Sequence, residues 1–494
     1  MACPIVPNAR RDGPGPIWGP ITISRQPVPA TDFVRILADW SRREGPLYLR
    51  LADRIGDLID EGALPGNVLL PSERALAKAL AVSRGTVETA YDVLKSRELI
   101  ARKTGVGTWA TPQTRRHRSH RRRAASDSFV EFLLSGSRTL DLTVAGLPAH
   151  ELVLTSRRAT RARVDELQRG THGYLASGLD ELKEHICAWF GRLGIPTTSD
   201  QVAITSGAAQ ALWLAASLLT PGSNVVVENP TSPTILTALR AHPLQIHGAP
   251  ADQRGLVVKA VPPDLRDAIF LTPAYLNPTG AHLSRHRCEQ LSRCAEQGVL
   301  VVEDLALIDI RLGGPPPRTI AAAAPQATIL SIGSMSKLYW AGLRGWLRAP
   351  APVIRRVNHI KAMLDISSPV ETQAQAAWLL ERHEELLERH EELCSDRLPQ
   401  LRTQRDEMVE LLASKLPQWR TTVPDGGLSL WLELPGDSSS LICQRMLRDG
   451  IRMLPSRGFD AQGLDERHLR LPFVVPPRLS GVIVDRLAAT AMDS

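Results

Sequence analysis

The sequence predicts two folds in one chain, a small α+β domain near the N-terminus and a large α/β domain after it. Three observations support this. The chain has 494 residues, too many for one ordinary domain. Residues 46–123 hold fifteen Lys and Arg against eight Asp and Glu, so they carry the whole formal net charge of +7. Beyond residue 129, apolar strand candidates alternate with amphipathic helices, the pattern of a mostly parallel sheet.

Composition argues against several other classes of protein. The six cysteines are scattered without a C-x-x-C pair, which favours neither a zinc knuckle nor a disulfide framework. Free cysteines suit a reducing compartment. No apolar run approaches the length of a membrane span, and the N-terminus lacks the apolar core of a signal peptide. We therefore expect a cytoplasmic protein with no metal site.

The N-terminal part predicts a disordered tail followed by a winged helix-turn-helix. Residues 1–30 are rich in Gly-Pro pairs, which block regular structure. Residues 31–110 predict a short amphipathic helix, three further helices and a hairpin. Ser72 and Ser83 are typical N-caps for the second and third of those helices, and a Gly-Val-Gly segment marks the hairpin.

The positive charge of this domain predicts a polyanionic partner. In a winged helix the N-terminus of the third helix enters the major groove of double-stranded DNA. Ser83, Arg84 and Thr86 are therefore expected to face DNA. Residues 111–130, with two arginine clusters and hardly an apolar side chain, predict a basic linker. A solvated spacer and a direct phosphate contact are both open for this linker.

Polar groups follow four strand candidates in the C-terminal part, residues 131–494. Ligands of an α/β sheet bind at the carboxyl ends of its strands. Free amides at a helix start bind phosphate. The groups in question are Gly207 and Ala208 after residues 202–205, Asn277 after 268–271, Asp304 after 299–302, and Lys337 after 328–332.

Lys337 is the most informative of these residues. It lies between Ser334 and Ser336 in an apolar stretch, and a Gly-Leu-Arg turn ending at Arg344 follows it. A half-buried lysine can lose its proton and form a Schiff base with a carbonyl cofactor. Hydroxyls and an arginine beside it suit a phosphate. With Asn277 and Asp304, these groups are the ones that pyridoxal 5'-phosphate (PLP) requires.

Residues 46–110 resemble the DNA-binding domain of the GntR family. The matching segments, in order, are Pro46-Leu-Tyr-Leu-Arg-Leu-Ala, Leu70-Pro-Ser-Glu-Arg-Ala-Leu-Ala, Val82-Ser-Arg-Gly-Thr-Val and Gly105-Val-Gly-Thr. The resemblance implies that Arg74, from the second helix, also approaches the DNA. It implies the same for the wing glycines Gly105 and Gly107.

The remaining chain, from about residue 130, resembles fold type I aminotransferases, which implies a PLP-dependent transferase-like α/β fold with a smaller α+β subdomain. Carried onto matching positions, the resemblance implies a phosphate site made of Gly207, Ala208, Ser334, Ser336 and Arg344. It further implies that Asn277 contacts the ring hydroxyl, Asp304 the ring nitrogen and Lys337 the aldehyde carbon. Arg470, in His468-Leu-Arg-Leu-Pro-Phe473, would bind a substrate carboxylate, and Tyr174 would reach the phosphate across a dimer interface.

A GntR-type reader joined by a linker to an aminotransferase-like domain is the layout of the MocR family of PLP-dependent transcriptional regulators. The sequence departs from the family pattern at two positions. No tyrosine follows Asp304 in Leu305-Ala306-Leu307, and Ser232 replaces the aromatic residue that commonly stacks on the ring. We therefore expect a less rigidly held cofactor. We also expect a domain that senses a ligand rather than one that catalyses transamination.

The resemblance implies a homodimeric regulator that binds operator DNA and senses a small amine, an amino acid or PLP itself, with weak or absent transaminase activity. Two alternatives stay open. The chain could be an active aminotransferase that carries a DNA-binding domain, or a repressor whose aminotransferase-like domain no longer binds PLP. Turnover of amino acids would identify the first, and a missing absorption band after addition of PLP the second.

Overall fold

The computed structural model describes residues 29–37, 40, 46–60, 64, 68–97, 99–103, 107–111, 139–388, 393–436 and 438–492. Most of the predicted tail, nearly all of the predicted linker and Gly105 lie outside the described residues. The chain divides into two compact units, Met1–Arg121 and Arg122–Ser494.

The first unit is the predicted winged helix-turn-helix. Its elements are α1 (Ala30–Leu37), α2 (Leu47–Asp60), α3 (Glu73–Leu80), α4 (Arg84–Ser96), β1 (Ile100–Lys103) and β2 (Gly107–Ala110). Ser72 and Ser83 cap α3 and α4 through their side chains, as expected. β1 and β2 pair antiparallel, and the backbone of Val68 and Leu70 hydrogen-bonds to β2, so the wing has a third short segment. Leu51, Ile55 and Val87 are fully buried between the helices.

The second unit begins with helices and a large sheet. In chain order its first elements are β3 (Leu140–Asp141), α5 (Glu151–Ala159), α6 (Arg161–Gly170), α7 (Asp180–Arg192), β4 (Val202–Thr205), α8 (Ala208–Ala216), β5 (Asn224–Asn229), α9 (Pro233–Arg240), β6 (Gln245–Asp252), β7 (Gly255–Leu256), β8 (Ala268–Leu271), α10 (Arg285–Glu296), β9 (Leu300–Asp304), α11 (Ile320–Ala323), β10 (Ile329–Ser334), β11 (Gly345–Arg348) and α12 (Ala351–Asp365).

The eight-stranded sheet has the order β4-β11-β10-β9-β8-β5-β6-β7. The neighbours from β10 through β6 pair parallel, whereas β11 runs antiparallel to both β10 and β4. β4 therefore points the same way as β10, and its carboxyl end lies at the same edge. Consecutive residues of a strand, such as Ala203 and Ile204, point to opposite faces of the sheet and belong to two separate cores. Burial on both faces explains why these strands are almost continuously apolar.

A smaller α+β subdomain completes the second unit, as predicted. Its elements are α13 (Val370–Glu388), α14 (Leu393–Lys415), β12 (Arg420–Thr421), β13 (Ser429–Glu433), α15 (Ser439–Arg448), β14 (Ile451–Arg452), β15 (His468–Pro472) and α16 (Pro477–Met492). β12, β13 and β15 form an antiparallel sheet, and β14 pairs with β3. Within the described ranges, no helix is both long and apolar enough to cross a membrane.

Candidate functional site

Two segments predicted to bind phosphate, the start of α8 and Ser334, come close together at one rung of the sheet. Gly345 of β11 pairs with Thr205 on one side and with Ser334 on the other. A Cβ atom at Gly345 would lie 2.8 Å from the carbonyl carbon of Gly207 and 3.0 Å from the amide nitrogen of Ala208. Only glycine permits this approach of β11 to the start of α8. The start of that helix therefore lies beside Ser334.

The predicted hydroxyls and arginine lie on this rung or next to it in the chain, and each has a hydrogen-bond partner. The Ser334 hydroxyl donates to the Ser336 hydroxyl at 3.0 Å, and the Ser336 N–H donates to Ser334 Oγ at 3.2 Å. Arg344 is buried, and its Nε donates to Thr372 Oγ1 at 2.7 Å. Burial lowers the pKa of Arg344, while Asp365 opposes that shift. Thr372 thus holds this guanidinium in a position that sequence motifs alone did not reveal.

A further set of residues, which no sequence pattern predicted, holds the loop before α8 in place. Gln210 accepts the Ser206 N–H at 2.9 Å and donates through Nε2 to Asp365 Oδ2 at 3.1 Å. Asp365 also pairs at 2.8 Å with the buried ammonium group of Lys361. Because Gln210 and Asp365 are 155 positions apart, no local pattern links them.

Lys337 lies in the second unit with its amine directed at a backbone carbonyl. Its Nζ donates to the carbonyl oxygen of Ala145 at 2.9 Å. Burial lowers the pKa of Lys337 to about 8; the positive charge of Arg470 adds to that shift and the negative charge of Asp304 opposes it. A lysine with this pKa is partly neutral near neutral pH, which a nucleophilic amine requires.

Asp304 is the last residue of β9 and lies close enough to Lys337 for their charges to interact. Its Oδ1 accepts the Ala306 N–H at 3.0 Å, and burial raises its pKa. The Asp304 charge also acts on Glu228, which is fully buried and accepts the Thr272 N–H at 2.8 Å. Burial, together with the Asp304 charge, raises the pKa of Glu228 to about 8. Glu228 was not among the predicted site residues.

A cavity of about 390 Å³ brings the remaining predicted groups together. Lys337, Asn277 and Arg470 all line it, although they come from three separate loops and strands. The Oδ1 atom of Asn277 is buried and has no hydrogen-bond partner among the described residues. A buried acceptor without a hydrogen-bond partner in the protein is favoured to receive one from a bound ligand.

Arg470 reaches this cavity from β15 of the small subdomain. Its Nη2 donates to the carbonyl oxygens of Leu142, at 3.0 Å, and Thr143, and the guanidinium lies 5.1 Å from the ring centroid of Phe459. Burial lowers the pKa of Arg470 to about 10, with partial compensation from Asp141. Its Nε has no hydrogen-bond partner within the described part of the chain. A buried cation of this kind suits the carboxylate of a ligand.

The two departures noted in the sequence are visible in the walls of the cavity. Leu307 lines it in the segment where family members carry a tyrosine. Ser232 instead caps α9 by accepting the Thr234 N–H at 3.4 Å, and Pro233 and Thr234 line the cavity next to it. These positions therefore offer neither a phenol donor nor an aromatic face.

Tyr174, another predicted cofactor residue, is exposed and has no described contact with the residues above. It is 68% exposed and is not among the residues that line the cavity. Its loop is tied to the segment between α12 and α13, because Ser367 Oγ donates to the Gly173 carbonyl at 3.0 Å. Three exposed apolar side chains lie just before Ser367, at the end of α12 and directly after it: Met363, Leu364 and Ile366.

The candidate DNA interface lies in the first unit. Arg74 and Arg84 are exposed on α3 and α4. Ser83 Oγ accepts the Thr86 N–H at 3.1 Å and is 2.8 Å from the Thr86 hydroxyl, so both residues shape the start of α4. Gly107 has φ 121°, and a Cβ there would lie 2.7 Å from Leu69. Glycine is therefore required at this end of the wing.

Fold and site together define an aminotransferase-like protein that carries a winged helix-turn-helix. The family described as "Aminotransferase class I and II" matches residues 141–487, and "Bacterial regulatory proteins, gntR family" matches residues 47–109. The chain therefore belongs to the class I and II aminotransferase family and, through its GntR domain, to the MocR group of transcriptional regulators.

Several known proteins are similar to this chain. The chain is 28% identical to the uncharacterized HTH-type transcriptional regulator YdfD of Bacillus subtilis, over 82% of this chain and 88% of that protein. It is 27% identical to the HTH-type pyridoxine biosynthesis transcriptional regulator PdxR of Corynebacterium glutamicum, over 84% and 87%. The structure of kynurenine aminotransferase from Pyrococcus horikoshii superposes with a TM-score of 0.65 at 26% identity, covering 75% of this chain and 95% of that one.

PLP is the cofactor of this family, and the residues present fit it. The amides at the start of α8 and the hydroxyls of Ser334 and Ser336 suit its phosphate. Asn277, whose Oδ1 has no hydrogen-bond partner among the described residues, and the partly neutral amine of Lys337 line one cavity, with Asp304 beside that amine.

Proposed function

We propose that this chain is a transcriptional regulator that binds operator DNA and senses a small molecule in the cavity beside Lys337. The observation that carries the proposal is the buried guanidinium of Arg470, which lines the same cavity as that amine and whose Nε has no hydrogen-bond partner among the residues that the structure describes. An effector with an amine or carbonyl group and a carboxylate could use both. An amino acid, a related amine and PLP itself are the candidate effectors.

The chain's own residues would hold the cofactor in a defined orientation. The Gly207 and Ala208 amides, Ser334, Ser336 and Arg344 would bind its phosphate, Asn277 its ring hydroxyl and Asp304 its ring nitrogen. PLP supplies an electrophilic carbonyl and an electron sink when it is bound. The carbonyl oxygen of Ala145 orients the Lys337 amine by accepting a hydrogen bond from it.

Regulation requires that the effector bind one conformation of the protein better than another. Arg470 belongs to the small subdomain, whereas Lys337 follows β10 of the large sheet. A ligand that contacts both residues would favour the arrangement in which their distance suits it. That preference is the physical source of a conformational signal.

We further propose that the protein is a homodimer and that transaminase activity is weak or absent. The exposed Tyr174 lies on a loop tied to the segment beside Met363, Leu364 and Ile366, and a second copy would bury this apolar surface. The low activity is expected because Leu307 and the capped Ser232 neither donate to nor stack on the ring.

The alternative, an active aminotransferase with a DNA-binding domain, is favoured by the presence of Lys337, Asp304, Asn277 and Arg470 at one site.

The two functions can be separated with PLP-loaded protein. A panel of amino acids with a keto-acid acceptor measures steady turnover, and gel shifts with the same panel measure effects on DNA binding. A regulator should show altered DNA affinity with negligible turnover. Rapid turnover of one amino acid without any effect on DNA binding would overturn the proposal.

A further inference from the structure

Glu73 of the first unit contacts two arginines from two different elements. It is the first residue of α3 and only 7% exposed. Its Oε2 lies 3.3 Å from Nη2 of Arg84, at the start of α4, and accepts a hydrogen bond from it. Its Oε1 lies 2.8 Å from Nη2 of Arg102, in the first strand of the wing, and this contact is an ion pair without hydrogen-bond geometry. One buried carboxylate thus joins the third helix of the motif to the wing.

The surroundings of Glu73 keep this carboxylate in place. Ser72 caps α3 just before it, and a negative charge in the first turn of a helix is favoured by the helix dipole. Tyr91 lies nearby with its hydroxyl donating to the Pro71 carbonyl at 2.8 Å. Burial and the Glu73 charge raise the pKa of Tyr91, so its hydroxyl stays protonated. The carboxylate is therefore buried in the first turn of α3, where the helix dipole favours its charge.

The two arginines, in contrast, remain available to a partner. Arg84 is 68% exposed and Arg102 is 46% exposed. A long arginine side chain normally samples many rotamers, and ordering it on binding costs entropy. An arginine that is already held in one orientation can present its planar fork to a base edge at lower cost. A free arginine binds phosphates of any sequence equally well.

We propose that Glu73 is a positioning residue that orients Arg84 and Arg102 toward DNA, and that Arg102 is a further DNA-contacting residue. The inference rests on the proposed operator binding and adds a source of sequence discrimination to it. Without the carboxylate, both cations gain freedom and the domain gains positive charge. Affinity for DNA of arbitrary sequence should then rise, while the advantage of the operator falls.

The test compares two variants that change the net charge equally. Glu73→Gln removes the carboxylate, and Asp92→Asn removes an exposed acid from the same helix as Arg84. Full-length protein is first used to select an operator from a pool of random duplexes. Affinity for that operator and for a random duplex of equal length is then measured by fluorescence anisotropy at several salt concentrations.

Glu73→Gln should lower the ratio of operator to random affinity by about tenfold, the size of one good base contact. Asp92→Asn should raise both affinities by the same factor and leave the ratio unchanged. If Glu73→Gln also leaves the ratio unchanged, the carboxylate contributes only charge and the inference is wrong.

Misfolding of Glu73→Gln and a failure of the wild-type protein to select any duplex have different consequences. If Glu73→Gln fails to fold, Arg102→Gln decides, because it leaves the Glu73–Arg84 pair intact. That variant should lose operator affinity more than random affinity, and an unchanged ratio would overturn the role of Arg102. If the wild-type protein selects no duplex at all, the proposed function fails, and this result differs from failure of the Glu73 inference alone.

Discussion

The Nζ atom of Lys337 donates a hydrogen bond of 2.9 Å to the carbonyl oxygen of Ala145, a residue 192 positions earlier in the chain. The same environment lowers the pKa of the lysine to about 8, chiefly through burial. The hydrogen bond orients the amine at the edge of the cavity. The lowered pKa means that a fraction of the protein molecules carries a neutral Lys337 amine near neutral pH. These two effects are what attachment of a carbonyl cofactor demands of a lysine.

The rate at which PLP becomes attached should follow the titration of Lys337. Only the neutral amine is nucleophilic, so the rate should increase as pH rises toward about 8 and level off above it. An unperturbed lysine would keep gaining reactivity up to about pH 10.4. Stopped-flow absorbance after mixing cofactor-free protein with PLP measures the profile. A rate that still climbs steeply well above the predicted inflection would contradict the assigned burial.

Two substitutions should move that inflection in opposite directions. Arg470→Gln removes a cation that lowers the pKa of Lys337, so the inflection should shift upward. Asp304→Asn removes an anion that raises it, so the inflection should shift downward. The same stopped-flow profile reports both shifts, and movement in one common direction would show that these charges do not act on the amine.

Covalent attachment should be confined to Lys337. Borohydride treatment of the PLP-loaded protein should leave a pyridoxyl group on the tryptic peptide that contains this residue, as read by mass spectrometry. Lys337→Ala should abolish that adduct. The buried Lys361, paired with Asp365, serves as an internal control and should stay unmodified in both proteins. An unmodified Lys337 peptide at saturating PLP would refute the cofactor assignment.

Gly345→Ala should weaken phosphate binding and destabilise the fold. The new Cβ would lie 2.8 Å from the backbone of Gly207, so β11 or the start of α8 must move. We expect a loss of about 1–3 kcal/mol in the free energy of unfolding, typical of overpacking, and faster loss of PLP. Chemical denaturation and dialysis of the loaded protein measure the two effects.

Gly481→Ala is the matched control for that substitution. Gly481 lies within α16, and a Cβ there would meet nothing within 4 Å. Alanine should therefore stabilise the helix by roughly 0.5–1 kcal/mol and leave retention of PLP unchanged. Equal behaviour of the two variants would show that Gly345 has no special role.

Arg84→Ala should weaken operator binding by about 1–3 kcal/mol. The side chain is exposed at the start of α4, where a winged helix enters the major groove. Gel shifts with the selected operator measure the loss, and circular dichroism checks that the domain still folds. An unchanged affinity in a folded variant would place the recognition surface elsewhere.

Much of the fold and part of the site could be predicted from local patterns. Alternating strands and helices implied a parallel sheet, and the carboxyl ends of parallel strands meet at one edge, so Asn277, Asp304 and Lys337 could be grouped before any coordinates. The caps at Ser72 and Ser83 and the hairpin glycines marked the winged helix in the same way. The spacing of apolar residues and the residue types of turns are local properties, so they can be read directly from a sequence.

Only the tertiary structure determined how distant segments pair. The insertion of β11 antiparallel between β4 and β10 places Gly345 against Gly207, and the fold of the small subdomain carries Arg470 into the cavity. The same holds for the carboxylate of Glu73 between Arg84 and Arg102. Strand order and long-range ion pairs depend on which surfaces bury each other, and no periodicity within one segment records its partner.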